Sequence, residues 1–366
     1  MHIHFFSHES SYSSAFLDIV KSEINLDEHL FVFGFAFIKF KKKQYDYGEQ
    51  LNKRVVRLKN PLAIFSVWKQ IKKSKWLYLH LLSYDPTLLF WRMNLKLLDK
   101  ATWIIWGTDV YAYNKKDDNI KTRFYESLRR KIIPRFREIA AFVKEDVDLV
   151  KQMYQSDAEY IPIAYPNPVS LELLQTVPVN AKNEFPVFLL GNSADVSNNH
   201  IEMLQMLAKF KNEQLKIYCP LSYGGNKEHI AKVIDLGHQL FGERFVPLKK
   251  YLNTTEYALI LGEVDVALMN HNRQQGLGNI LALLYLEKKV FLKSNISSYY
   301  FFQRKKLVVY DIATITNMTF EELVTSNNEL KANKQIVKSI IGKESILPLW
   351  VSLFSRHECS SEAAKL

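Results

Sequence analysis

The sequence predicts an α/β protein made of two parallel-sheet domains facing a central cleft. Three observations carry this. Short apolar runs alternate with longer amphipathic stretches along most of the chain, as the strands and crossover helices of a parallel sheet do. At 366 residues the chain exceeds one ordinary core and suits two. The alternation is interrupted by Pro162, Pro166, Pro168, Pro178 and Pro186, a spacing that disfavours regular structure and suits a linker. The expected divisions are a first domain at 1–165, a linker at 166–185, a second domain at 186–335, and a helical segment at 336–366 packing back toward the first domain.

In the first domain, strands are predicted at 2–6, 30–35, 55–58, 76–82, 102–106, 139–143 and 160–163, with helices at 13–24, 62–73, 87–97 and 120–133. In the second, strands at 186–190, 216–219, 245–248, 264–269 and 290–293 alternate with helices at 199–210, 227–240, 255–262 and 276–286. Ligands of such sheets sit beyond the carboxyl ends of the strands, so the loops there are where chemistry is sought.

Composition narrows the class. Hydrophobic residues make up 48% and charged residues 24%, the balance of a folded soluble protein. Two cysteines, Cys219 and Cys359, have no ligand spacing and suit a reducing compartment. The opening MHIHFFSHES lacks a basic region followed by a long apolar one, so no signal peptide is read. No apolar stretch is long enough for a membrane span. The net charge of +11 favours polyanions, whether nucleic acid, anionic lipid or phosphorylated small molecules.

The most specific segment runs from Asn270 through His271, Asn272, Arg273, Gln274, Gln275, Gly276, Leu277 and Gly278 to Asn279, between a strand and a helix. Two glycines at a helix start let the backbone approach an anion that the free N–H groups attract. Arg273 adds a planar fork matched to phosphate, and Gln274 and Gln275 donate without adding charge. The competing reading is a permissive strand-to-helix turn. A second loop, with Gly191, Asn192, Ser193, Ser197 and Asn198, offers short polar side chains, although Ser197 or Asn198 is equally a helix cap. A third carries Tyr223, which could stack on a base or sugar, beside Gly224 and Gly225, which equally suit a plain turn.

In the first domain, Trp106, Gly107, Thr108, Asp109, Val110 and Tyr111 follow a strand. A carboxylate there is placed to act as a general base toward an acceptor hydroxyl. Asp109 equally suits a bond to its own loop. His80, before Ser83-Tyr84-Asp85-Pro86, is the competing base, although a histidine within an apolar strand is more often a satisfied core residue, and His8 with Glu9 after the first strand comes third. Asp146 and Asp148 form an Asp-x-Asp pair where a helix should begin, so they read as dipole partners rather than metal ligands. Two basic, aromatic-rich stretches, 61–76 and 120–137, suit either ordinary amphipathic surface helices or contact with anionic lipid. The second places Phe124, Leu128 and Ile132 on one face, with Arg129, Arg130 and Lys131 beside it. Residues 39–43 could extend that surface.

Trp106-Gly-x-Asp109-x-Tyr111, Gly191-Asn-Ser-x-Asp195-x-Ser-Asn198-x-His200 and Arg273-Gln-Gln-Gly276-x-Gly278, in that order and spacing, together resemble glycosyltransferase family 56. The family's known activity transfers N-acetylfucosamine from its TDP form to lipid II in enterobacterial common antigen synthesis. The resemblance implies a GT-B fold, with two Rossmann-like parallel-sheet domains, and a nucleotide-diphosphate sugar donor held by the second domain. It implies an undecaprenyl-diphosphate-linked glycan acceptor, no metal, and peripheral attachment at the cytoplasmic face of the bacterial inner membrane. Gly191, Asn192 and Ser193 would face the donor, Arg273 to Gly278 would hold its phosphates, and Trp106 and Asp109 would face the acceptor. Asn279 stands where the family has threonine, and the likeness is weak over the first 70 residues and beyond about Lys288.

The mechanism expected from these residues docks the diphosphate at the helix near Gly276, with Arg273 neutralising the charge of the leaving group. Asp109 or His80 would deprotonate the acceptor if the reaction inverts. The expected donor sugar is 4-acetamido-4,6-dideoxygalactose. Rival readings are a transferase with another donor, another dinucleotide-fold enzyme, a non-catalytic polyanion binder, or a transferase that has become a scaffold. The second lacks an early G-x-G-x-x-G, and no nucleic-acid motif supports the third. Retention of Arg273 and Asp109 opposes the last.

Overall fold

The computed structural model describes residues 1–34, 45–82, 84–114, 119–178 and 183–358. The basic run 39–43, Phe35 of the second predicted strand, Ser83 and Cys359 lie outside the described residues. The chain divides into two compact units, Met1–Asn167 with Lys343–Leu366, and Pro168–Gly342.

The first unit holds seven strands: β1 (His2–Phe6), β2 (His29–Phe33), β3 (Val55–Arg57), β4 (Trp76–His80), β5 (Ala101–Ile104), β6 (Glu138–Ala141) and β7 (Glu159–Pro162). They lie in the order β3-β2-β1-β4-β5-β6-β7, all paired in parallel. One face packs on an aliphatic core that includes Ile3, Val32, Leu77 and Leu79. Because side chains alternate along a strand, the other face carries the intervening residues. The register sets His2 beside His29 and Trp76, His4 beside Phe31 and Tyr78, and Phe6 beside Phe33 and His80. This block of nine rings is covered by Trp350 and Phe354 of the helix Lys343–Ser355 and by Phe16.

The second unit holds β8 (Val187–Leu190), β9 (Lys216–Pro220), β10 (Phe245–Leu248), β11 (Val266–Met269), β12 (Lys289–Leu292) and β13 (Tyr310–Asp311). The order is β10-β9-β8-β11-β12-β13, again all parallel. Both sheets therefore reverse direction beside their first strand, between β1 and β4 and between β8 and β11. A crevice opens at the carboxyl ends at such switch points.

Three expectations need correction. The stretch 166–185 is not a free linker: after Asn167 it belongs to the second unit, and Leu171–Gln175 is helical, capped by Ser170 and burying Leu171 and Leu174. The helix expected at 62–73 begins as 3-10 helix over Pro61–Val67 and becomes α only over Trp68–Lys73. In the helix Ile120–Ile132 the buried face is Tyr125, Leu128, Arg129 and Ile132, so Phe124 points outward and Arg129 inward.

Candidate functional site

In the second unit the loops after β8, β9 and β11 meet at the switch point. Gly191 ends β8 with φ 71°, a conformation that glycine adopts freely. A Cβ there would also stand 2.7 Å from Asn198 Oδ1. Gly276, with φ 63°, precedes the helix Leu277–Tyr285, and a Cβ there would lie 3.0 Å from Asn192. The loops after β8 and β11 thus meet through a glycine. Gly276, at the helix start, has no side chain to cap it, and the dipole at a helix start favours an anion.

Side chains lace the same loops together. Gln275 donates to Asn192 Oδ1 at 3.2 Å and Ser197 donates to Gln275 Oε1. Asn192 donates to the Tyr223 hydroxyl at 3.3 Å, and the Ala194 N–H donates to the Tyr223 carbonyl at 2.7 Å. The structure therefore brings Gly191, Asn192, Ser193, Tyr223, Gln275 and Gly276 together. Half-buried Arg273 and buried Gln274 stand in the same loop, and Arg273 donates to the Gln274 carbonyl. Gly278 and Asn279 lie in the first turn of the helix. Asn279 turns away to the Tyr257 hydroxyl, donating at 3.1 Å.

Asn198, read from the sequence as a helix cap and as part of the family motif, and Asn199, given no role there, turn out to organise the site. Asn198 Oδ1 accepts from the Asn192 N–H at 2.9 Å and lies 3.0 Å from His271 Nε2, while its amide donates to the Asp195 carbonyl. Asn199, left-handed at φ 52°, donates to the Asn270 carbonyl at 2.6 Å. The signal was the Asn-Asn pair itself, since asparagine tolerates that conformation better than other non-glycine residues. Beneath them lie buried polar atoms with no partner: both amide atoms of Asn270, Nδ1 of His271 and Nε2 of His200. Burial pushes His271 down to about 3 and His200 down to about 4, so both rings are neutral at pH 7.

In the first unit Asp109 is buried, and its carboxylate accepts from the Leu82 and Trp106 N–H groups at 3.2 and 3.1 Å and from Trp103 Nε1 at 2.9 Å. Burial pushes its carboxyl up, against the opposing pull of Arg129. Arg129, fully buried, donates to the Leu82 and Asp109 carbonyls. Asp109 as acceptor base is corrected accordingly: it fixes its own loop, with Arg129 as the brace. His80 is corrected too, being a core residue stacked on Phe6 at 3.9 Å with both nitrogens engaged, to His4 and to Tyr165. Tyr111 donates to Asp146 at 2.8 Å, which makes Asp146 structural. Trp106 packs on Tyr165 and Tyr12.

What remains at the β1–β4 switch point is a small pocket lined by Ser7, Gly34, Leu81, Leu82, Asp85 and Thr87, among others. Asp85 Oδ1 accepts from the Thr87 N–H at 2.8 Å, yet burial pushes its carboxyl up. His8 is half-buried at the end of β1, 2.9 Å from Ser7 Oγ, and burial lowers its ring below the ordinary value.

Residues 10–335 match the family model described as 4-alpha-L-fucosyltransferase glycosyl transferase group 56. Among solved structures, the chain is similar to a sucrose-phosphate synthase from Thermosynechococcus elongatus, with TM-score 0.70, 10% identity, and 97% and 98% of the two chains covered. A glycosyltransferase from Rickettsia africae matches with TM-score 0.64 and 13% identity over 98% of each chain. An Anabaena protein crystallised with UDP and glucose matches with TM-score 0.64 and 11% identity over 97% and 99% of the chains. At these identities the likeness shows the fold.

Proposed function

The chain belongs to glycosyltransferase group 56, and from that premise we propose that it moves 4-acetamido-4,6-dideoxygalactose from its TDP-sugar to an undecaprenyl-diphosphate-linked glycan. The observation that carries the donor half is the switch point of the second unit. A helix start, a close glycine at Gly276 and the guanidinium of Arg273 converge there, above buried Asn270 and His271 atoms that lack partners. The diphosphate docks at the helix start. Arg273 offsets its growing charge as the sugar leaves, without requiring a metal ion.

On the acceptor side, Asp85 is the general base. Burial raises its carboxyl, which strengthens its carboxylate as a proton acceptor, and it lines the pocket at the first switch point. His8 lies at the end of β1, beside Ser7 of that pocket, and orients the acceptor. The enzyme works at the cytoplasmic face of the inner membrane. Leu62, Phe65, Met93 and Ile120, each more than half exposed, lie in segments of the first unit close in sequence to Lys69, Lys72, Lys73, Lys121 and Arg123. Exposed apolar side chains interspersed with cations along the chain suit an anionic lipid surface. Among the described residues no helix is long and apolar enough to cross a membrane.

A thermal-shift screen against TDP, UDP, GDP, CMP and ADP, with and without Mg2+, tests the donor site. A ligand at a hundred times its dissociation constant stabilises the fold by about 2.7 kcal/mol. A metal-independent shift with TDP that disappears in Arg273→Ala is expected. The absence of a shift with every nucleotide would remove the donor assignment.

A further inference from the structure

At the amino ends of the first unit's strands, away from the loops described above, β1 begins with His2. Its ring is fully buried, and neither nitrogen has a hydrogen-bond partner. Buried polar atoms left in that state are uncommon and call for a partner. Two carboxylates from distant parts of the chain come to it. Glu28 precedes β2, and Glu358 follows the helix Lys343–Ser355. One ligand atom from each of the three residues lies within 4.8 Å of the others.

We propose that His2, Glu28 and Glu358 bind a divalent transition-metal ion of the zinc class, which fastens the segment after the C-terminal helix to the amino edge of the sheet. One imidazole and two carboxylates are a donor set for Zn2+ rather than for Ca2+ or Mg2+, which prefer oxygen alone. Three protein ligands leave a position for water. Two carboxylates and an imidazole balance a doubly charged ion. Stacking on His29 at 5.0 Å holds the ring in place.

The competing occupants are the N-terminal ammonium, which acts on both His2 and Glu28, and Lys75, whose Nζ lies 3.5 Å from Glu28 Oε2. That pair is loose and partly exposed, so it contributes little. The site stands at the sheet end opposite to the switch-point loops, so the ion acts on stability and not on donor binding.

The test uses the full chain, stripped with EDTA and dialysed, then titrated with Zn2+ and separately with Co2+. One Zn2+ per chain, visible ligand-field bands with Co2+, and a melting temperature raised by about 5 °C at saturating Zn2+ are expected. His2→Phe keeps the ring stack and removes both nitrogens. Glu358→Gln changes an exposed residue and reads the site even if His2→Phe does not fold. Both variants should lose the metal and the temperature shift while retaining the nucleotide response, and Lys75→Met should bind Zn2+ more tightly. Absence of stoichiometric uptake by the wild type, or uptake unchanged in Glu358→Gln, overturns the proposal. A failed nucleotide screen leaves these readouts untouched.

Discussion

Mild acid should unfold the first unit well before it harms the second, because of the imidazoles buried on one face of its sheet. Three of them form a hydrogen-bonded row. His80 lies between the Tyr165 hydroxyl and His4 Nδ1, and His4 Nε2 lies 2.9 Å from His29 Nδ1. A neutral imidazole has one donor and one acceptor, so a row of them is satisfied only while each ring is neutral. An added proton sets two N–H groups face to face. Burial accordingly lowers His4 and His80 well below 6.5, His29 to about 3 and His2 to about 4.

Unfolding frees each ring to bind a proton near pH 6.5. The unfolded chain then holds more protons than the folded one, and stability falls as pH falls through 6.5 toward the folded values. At pH 5.0 an ordinary imidazole lies 1.5 units on the protonated side of about 6.5, which costs about 2 kcal/mol per ring at 1.36 kcal/mol per unit. Four rings give about 8 kcal/mol, comparable with the whole stability of an ordinary domain, about 5–15 kcal/mol. The assay is built into the sequence: all six tryptophans, at positions 68, 76, 91, 103, 106 and 350, lie in the first unit. Their fluorescence in urea, with EDTA present, should give a midpoint that collapses between pH 7.5 and 5.0. His29→Phe should recover about 2 kcal/mol of the pH-dependent loss, whatever its constant cost. The raised carboxyls of Asp85 and Asp109 carry the opposite sign, and the imidazole variants separate the two contributions. Equal midpoints at both pH values would refute the reasoning.

Other expectations are simpler. Gly276→Ala forces a left-handed alanine against Asn192, and should cost about 1–2 kcal/mol together with most of the nucleotide-induced thermal shift. Asn198→Ala leaves the buried Asn192 N–H without its acceptor and should destabilise the second unit by about 1–3 kcal/mol, seen as a lower melting temperature without nucleotide. Arg129→Met strips two buried carbonyls of their donor and Asp109 of its countercharge; a loss of about 3 kcal/mol in urea is expected. Asp85→Asn should lower kcat by about a hundredfold or more with the nucleotide shift intact, whereas a kcat unchanged in that variant would remove Asp85 as base.

The alternation of apolar runs with amphipathic stretches located every strand but one. The miss was β13, whose two residues Tyr310 and Asp311 carry no alternation to read. The loops proposed to hold the donor were legible as loops for a similar reason: a glycine in a left-handed turn has few substitutes, so Gly191 and Gly276 marked their places. The acceptor side was misread where sequence is blind to burial. A loop carboxylate bound to its own backbone and one facing solvent look alike, and only the position of Arg129 inside the helix Ile120–Ile132 distinguishes them. A histidine at a strand's end likewise reads as either a base or a core residue until its neighbours are known. The neighbours of His80 come from β1 and from residue 165, far away in sequence.

Under the proposed function, the two switch points solve different problems with one topology. In the second unit, the carboxyl ends of β8 and β11 leave Asn270, His271 and His200 with buried polar atoms unanswered, although Asn198 and Asn199 brace the surrounding loops at several bonds. A braced loop with unanswered atoms is ready for a polar ligand: the ordering cost is met in folding, and the hydrogen bonds wait for the donor. In the first unit the loops are braced as firmly, through Asp109 and Arg129. Its pocket, however, is walled mainly by Phe5, Leu58, Ile64, Leu79, Leu82 and Trp91, with few polar atoms. Such a wall suits an acceptor that presents one hydroxyl and keeps its charge elsewhere. If that is right, Leu82→Asn should weaken acceptor use, raising its KM, and leave the nucleotide response of the second unit unchanged; a loss of both would mean that the first unit's pocket does more than hold the acceptor.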